Sequence, residues 1–370
     1  MKNAIGRIFS RKIWRQVHVA LGLACSIVFA IVCATGAIYL FRDELGRVVE
    51  PERYWAKIES ASESDKPSLD DLVANLERAE GARAETVVVP RERRRTLRFL
   101  LKPDGAGNRR ILRDVDPFSG KVVGSGADKA TPFFKGVRRW HVRLNLPKKL
   151  GTPIVDVCCL AALVLAVSGL RIWIPAQKSL WKRRLTVRFR SGVKTALYDL
   201  HVALGFWGLV PLALLAISGA FFAFYSSHAS VAPPMALPES VSEERGVSLD
   251  ELIRESLADA KGRGALKITL PGDQREEAIR IERTGGGFWS FSVPTVYYWD
   301  PRNGSLVAER SFRDLDGRNK LMAIVRGCHY GDLFGTGSKI VFCFGCLAGI
   351  ALVVTGIWFE LVKKSPRKRE

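Results

Sequence analysis

The sequence predicts a membrane protein: a four-helix transmembrane bundle built from two parallel repeats, each carrying an α+β domain on one side of the bilayer. Three observations predict it. Four apolar runs are long enough to cross a bilayer, motifs of the first half return in order in the second, and the positive charge gathers in segments that alternate with the larger polar regions.

The runs cover residues 17–41, 153–175, 201–225 and 339–362. Each contains a small-residue pair, Thr35-Gly36, Ser168-Gly169, Ser218-Gly219 or Thr355-Gly356, of the kind that lets membrane helices approach closely. Lys2, Arg7, Arg11, Lys12 and Arg15 precede the first run and resemble the charged start of a secretory signal. The run is too long for a cleaved signal and no small-x-small site follows it, so it reads as a retained anchor.

Orientation follows from the cations. The first 15 residues hold five Lys/Arg; the loop after the second run holds Lys178, Lys182, Arg183, Arg184, Arg188, Arg190 and Lys194; the tail holds Lys363, Lys364, Arg367, Lys368 and Arg369. These seventeen account for most of the net charge of +20 and place both termini and the middle loop in the cytoplasm. The high pI is therefore a topology signal, with contact to anionic lipid, and does not argue for nucleic acid. The expected layout is a cytoplasmic N-terminus and first span (1–42), a first outer domain (43–150), a second span with basic loop (151–200), a third span (201–226), a second outer domain (227–337), and a fourth span with basic tail (338–370).

The repeat is visible motif by motif. HVALGL at 18–23 returns as HVALGF at 201–206, SLDDL at 68–72 as SLDEL at 248–252, and VVVP at 87–90 as ITLP at 268–271. Asp116-Pro117 with Gly120 returns as Asp300-Pro301 with Gly304, and His141 as His329. Parallel repeats pack about an axis along the membrane normal, which puts equivalent residues at equal depth. Each outer domain reads as a helix, with Ser68 or Ser248 as N-cap, followed by strands: ETVVVP, TLRFLL and RILRDV in one, LKITLP, AIRIER and TVYYWD in the other. The D-P-x-x-G pieces make turns between the last two strands, and PPMALPES at 233–240 makes a stiff linker.

Four of the five histidines sit at matching places, and ionisable groups at the ends of membrane helices are costly without a role. His18 and His201 fall near the cytoplasmic face, His141 and His329 near the outer face. Two pairs at two depths suit two bis-histidine haem sites, each taking one ligand from each repeat. A closed zinc site calls for four ligands, and each layer offers two. Cys328-His329 lacks the two-cysteine spacing of covalent attachment, so the haems are of b type. Arg15, Arg171 and Lys194 near one pair, and Arg138, Arg139, Arg143 and Arg326 near the other, can clamp propionates. His228 aligns with Leu45 and reads as a surface residue; Cys25, Cys33, Cys158, Cys159, Cys343 and Cys346 read as packing residues within spans.

On the four runs, the two D-P-x-x-G hairpins and a histidine near each run, the chain resembles the PepSY-associated transmembrane proteins of bacterial inner membranes, FoxB-type ferric-siderophore reductases among them. The resemblance implies two periplasmic PepSY-like domains, haem in the membrane region, and reduction of siderophore-bound iron, hydroxamate chelates being one class, with electrons from quinol or a cytoplasmic reductase. No catalytic residue is expected beyond the haem ligands His18, His201, His141 and His329. A non-enzymatic PepSY-domain adaptor and a haem or metal permease are the alternative readings. For substrate contact the sequence offers the aromatic run at 288–299 and the cluster Arg91, Arg93, Arg94 and Arg95, both also explained as strand core and charged turn.

Overall fold

The four apolar runs are helical in the computed structural model, which describes residues 10–56, 66–92, 94–103, 110–127, 129–175, 177–224, 246–258, 264–271, 278–283 and 293–364. In chain order the longer helices are α1 (Arg11–Leu40), α2 (Leu69–Glu80), α3 (Ala130–Arg143), α4 (Lys148–Trp173), α5 (Val193–Trp207), α6 (Leu209–Phe224), α7 (Leu249–Ala258), α8 (Gly317–Tyr330) and α9 (Thr336–Lys364). The strands are β1 (Ala82–Val89), β2 (Leu97–Pro103), β3 (Ile111–Val115), β4 (Val122–Ser125), β5 (Leu266–Thr269), β6 (Ile279–Arg283), β7 (Thr295–Trp299) and β8 (Leu306–Arg310). The chain forms two units, one from Met1–Arg42, Phe133–Ser227 and Cys328–Glu370, the other from Asp43–Pro132 and His228–Gly327.

The first unit is the membrane unit. Helices α1, α4 and α9 are each long and apolar enough to cross a bilayer. The third run differs from a straight span: it breaks into α5 and α6, bent by 58°, and the two together make a fourth crossing if counted as one. Pro211 explains the break, because it has no N–H to offer the Trp207 carbonyl one turn back. The bend nests against α9 at Gly345, where a Cβ would come within 2.9 Å of the Pro211 ring. Helix α1 packs on α4 and α9, and α6 packs on the same two. Large side chains such as Ile27, Val157 and Leu347 stay exposed on the outside of these contacts, as lipid-facing positions do, while Cys33, Ser168 and Ala348 lie inside.

Some of the cations that set the orientation also finish the helices. Arg11 donates to the Ile174 carbonyl, and Arg184 to the carbonyls of Ile172 and Trp173, satisfying acceptors that the end of α4 leaves without partners. Arg188 grips both oxygens of buried Asp199, at 2.7 and 3.0 Å, and so fastens the basic loop to α5 two residues before His201.

The second unit is one antiparallel sheet in the order β4-β3-β2-β1-β5-β6-β7-β8. The sequence reading treats the polar regions as two domains, each with its own sheet; here the four strands of one half join the four of the other through β1 and β5, with Val87 opposite Ile268. Each half alone would leave its first strand as an open edge, and pairing the two edges satisfies both rows of N–H and C=O groups. One face is covered by Leu69, Leu72, Val73 and Leu76 of α2 and by Leu249 and Leu252 of α7, packed on Val87, Phe99, Leu101, Ile268, Ile281 and Trp299. Burial of each such side chain contributes roughly 1.5–3 kcal/mol. The D-P-x-x-G turns close in the same way in both halves: Gly120 donates to Asp116 and Gly304 to Asp300, each at 2.9 Å, with both glycines at positive φ. The Arg302 guanidinium on Asp300 holds that carboxyl below its usual range.

The helix caps cross between the halves. Ser68 accepts from the Asp71 amide at 3.0 Å, as expected, but Asp70 accepts from the Leu249 amide at 2.8 Å and Asp250 from the Leu69 amide at 2.7 Å. Each helix start is thus capped by a carboxylate of the other. Asp70→Ala is expected to lower stability by about 1 kcal/mol and to deprotect the Leu249 amide in hydrogen exchange, while Asp250→Ala deprotects that of Leu69. Loss of protection within the mutated helix instead would show that the caps are local.

Candidate functional site

All four repeat-related histidines lie in the membrane unit, and each is held by the hydroxyl of one small-residue pair. His18 Nδ1 lies 3.0 Å from Ser168 Oγ, His141 Nδ1 3.1 Å from Thr35 Oγ1, His201 Nδ1 2.7 Å from Thr355 Oγ1, and His329 Nδ1 2.9 Å from Ser218 Oγ. The contacts are exchanged within each half. Helix α1 supplies His18 to α4 and accepts His141, which stands just before α4; α5 supplies His201 to α9, and α6 accepts His329, which stands just before α9.

Counting protons fixes the imidazole tautomer. A serine or threonine hydroxyl has one proton to give. Thr35 is directed to the Ile31 carbonyl, Ser168 to Leu165, Ser218 to Leu214 and Thr355 to Ala351, at 2.6–3.2 Å. With that proton used on its own helix, each hydroxyl accepts, and Nδ1–H of the histidine donates. His141 Nδ1 also lies 3.0 Å from the Val32 carbonyl, which only accepts. The other three imidazoles bond the backbone at Leu165, Leu352 and Leu215, each three residues before the hydroxyl they meet. In the neutral imidazole Nε2 is then left without a proton on all four rings, the form in which histidine ligates a metal.

The glycine of each pair makes the seat. A Cβ on Gly36 would stand 3.2 Å from His141 Cε1 and one on Gly169 3.2 Å from His18 Cε1; at Gly219 and Gly356 the corresponding distances to His329 and His201 are 3.6 Å. Sequence reasoning takes these pairs as helix packing and misses this role. The signal is their spacing: Thr35 and Ser218 each follow the first histidine of their half by 17 residues.

Two of the rings also meet across the halves: His141 and His329 have centroids 5.9 Å apart at an interplanar angle of 60°. Phe222 stands edge-on to His329 at 5.2 Å and Phe359 to His201 at 5.9 Å, walling those rings with apolar surface. Arg138 acts electrostatically on His141, while Arg15 and Lys194 are exposed.

The other candidates are absorbed into the scaffold or fall elsewhere. Tyr297 and Trp299 are buried on the helix-covered face of the sheet, and Val296 and Tyr298 are buried on the opposite face, so this part of the aromatic run is strand alternation. Residues 288–292, His228, Arg93 and the 233–240 linker lie outside the described residues. Arg95 lies over the Tyr54 ring and pairs with Glu92. The cysteines in spans are free thiols; Cys33 packs over Gly349 and Cys346 near Gly36.

A family model described as PepSY-associated TM region matches residues 15–363. No curated protein matches the chain. In the chain labelled with ¹⁵N-histidine and free of added cofactor, nitrogen NMR should show a protonated Nδ1 and a bare Nε2 for His18, His141, His201 and His329. The opposite tautomer at these positions would remove the case for Nε2 as the open ligand.

Proposed function

The chain belongs to the PepSY-associated TM region family, and from that membership and the two histidine pairs we propose that it is a dihaem reductase of the bacterial inner membrane. In this reading the bundle has four spans in two parallel repeats, both termini are cytoplasmic, and the segments that form the sheet face the periplasm. Electrons from quinol or a cytoplasmic reductase cross the membrane to a periplasmic ferric siderophore, hydroxamate chelates being the first class to try. The observation that carries the proposal is the set of four repeat-related imidazoles, each with Nδ1 2.7–3.1 Å from a hydroxyl of a neighbouring helix.

The donor set fits haem better than a bare ion. Two histidines per site fall short of the four protein ligands of a closed zinc centre, whereas haem would bring ring nitrogens of its own and need only two from the protein. Haem, when bound, supplies a one-electron ferric/ferrous couple. His18 with His201 would hold one, and His141 with His329 the other. The hydroxyls of Ser168, Thr355, Thr35 and Ser218 keep each imidazole turned, and the apolar helix faces keep water from the rings. Arg138, Arg139, Arg143 and Arg326 lie within three residues of His141 or His329 and suit propionates. Reduction releases the iron because the hard oxygen donors of the chelate hold the ferrous ion less well.

Purified protein should carry two non-covalent b-type haems per chain with low-spin spectra, extractable into acidified organic solvent. His18→Ala and His201→Ala should remove one and the same haem, and His141→Ala and His329→Ala the other; loss of a single haem by His18→Ala and His141→Ala together would make the pairing intra-repeat. Removing a supporting hydroxyl, as in Ser168→Ala or Thr355→Val, should weaken haem retention roughly 10–100-fold. Gly36→Ala and Gly169→Ala should disturb the spectrum more than Gly219→Ala and Gly356→Ala.

The decisive test is electron transfer. Chemically reduced protein should be reoxidised by a ferric siderophore with ferrous iron appearing in a trap, and His141→Ala should stop this while the inner haem stays reducible. If the haems are present and a panel of ferric chelates leaves the reduced spectrum unchanged, the reductase reading fails and an adaptor role replaces it.

A further inference from the structure

Between the first outer segment and the second span lies a charge excess that propionate contacts alone do not explain. Lys135, Arg138, Arg139, Arg143, Lys148 and Lys149 fall within fifteen residues that contain no acid. In the orientation proposed above this stretch is on the periplasmic side, where cations near span ends are disfavoured. The equivalent stretch of the other half, 323–337, has one Arg326 and one Asp332 and is neutral. A duty common to both histidine layers would have charged both halves alike.

Geometry sets the depth of the patch. Helix α3 lies along the last turns of α1: Phe134 meets Tyr39 at 6.5 Å, and His141 reaches Val32 and Thr35. Leu144 and Asn145, both at positive φ, then turn the chain into α4, so tightly that a Cβ on Gly151 would collide with the Arg143 carbonyl. Thirty residues of α1 extend about 45 Å, against a hydrocarbon core of about 30 Å, and the charged Arg42, Asp43 and Glu44 follow directly, so the end of α1 falls at headgroup level. The exposed face of α3 stands there with them.

That face mixes cations with large apolar groups. Phe133 is 57% exposed, Trp140 43% and Leu150 62%, beside exposed Lys135, Arg139, Lys148 and Lys149. Among the described residues none of the six cations makes an ion pair. Aromatic and aliphatic groups that enter the acyl boundary, ringed by cations at headgroup level, are the pattern of an interfacial lipid-binding helix. We infer that α3, its turn and the first turn of α4 bind anionic phospholipid headgroups of the outer leaflet. The occupant follows from charge complementarity, and the inference rests on the orientation proposed above. The same helix carries His141, so the lipid seat fixes the depth of one ligand of the outer pair.

The test uses full-length protein in vesicles of equimolar phosphatidylglycerol and phosphatidylcholine, with a photoreactive analogue of one lipid or the other, and labelling mapped by peptide. The 133–150 peptide should be labelled at least tenfold more by the glycerol lipid. Each cation near an anionic surface is worth roughly fivefold, so Lys135→Gln/Lys148→Gln/Lys149→Gln should bring the preference close to parity, and the Lys→Arg triple should retain it. Equal labelling of the wild type by both lipids, or an undiminished preference in the Gln triple, would overturn the inference. So would a Gln triple that keeps its lipid preference and loses docking of an anionic ferric chelate, since the patch would then belong to the substrate. Haem is counted on the same samples: selective labelling of protein that binds no haem supports the lipid seat while rejecting the dihaem reading.

Discussion

The hydrogen bond from an imidazole Nδ1–H to a helix hydroxyl, made four times, is the constraint on which the membrane unit turns. Its contribution to stability is small, since interhelical hydrogen bonds in bilayers average about 0.6 kcal/mol. Its effect on chemistry is large, because it selects the tautomer and the rotation of each ring. The hydroxyl can accept because its own proton is spent on a carbonyl one turn back in its helix. A glycine follows each hydroxyl: at Gly36 and Gly169 a Cβ would press on the ring, and at Gly219 and Gly356 it would lie in van der Waals contact with it. Hydroxyl and glycine are therefore one device, and the close helix packing that small residues permit is what brings the histidine to it.

Exchange takes a different form in the second unit. There the helix starts trade carboxylates, Asp70 to Leu249 and Asp250 to Leu69, and the open edges of two four-stranded halves trade backbone hydrogen bonds at β1 and β5. Groups that one half leaves unsatisfied are met by the equivalent element of the other, whereas the histidine–hydroxyl contacts of the membrane unit stay within each half. Duplication makes this economical, since a surface that fits its own copy needs only one solution. The departures from symmetry then carry information, and the largest is the cationic α3 beside a neutral counterpart.

A site made this way separates tasks. The four imidazoles come from four different helices, so their spacing is set by helix packing rather than by any loop. Cations at the α4 end, Arg11 and Arg184, finish the helix instead of facing the histidines. Asp199, buried two residues from His201, is fully engaged by Arg188 and anchors the loop. The site region thus contains charge whose work is structural, next to imidazoles whose free nitrogen has no structural work.

Much of this was legible in the chain. Apolar length gave the spans, because a bilayer admits only segments that satisfy their own backbone; alternation gave six of the strands; and the repeat singled out four histidines by position alone. The hydroxyl-glycine pairs were visible as small residues at matched places, but their function was not, since it depends on which helix faces which. The single eight-stranded sheet was hidden for the same reason: β1 and β5 are some 180 residues apart in sequence, and no local pattern says that two edges will meet. The break at Gly208 could be read from Pro211, although its nesting on Gly345 could not. Composition and periodicity depend on neighbours along the chain and so determine elements and their number. The imidazole partners, the capping partners and the seat of α3 along α1 depend on contacts between distant segments, and only the tertiary structure decides those.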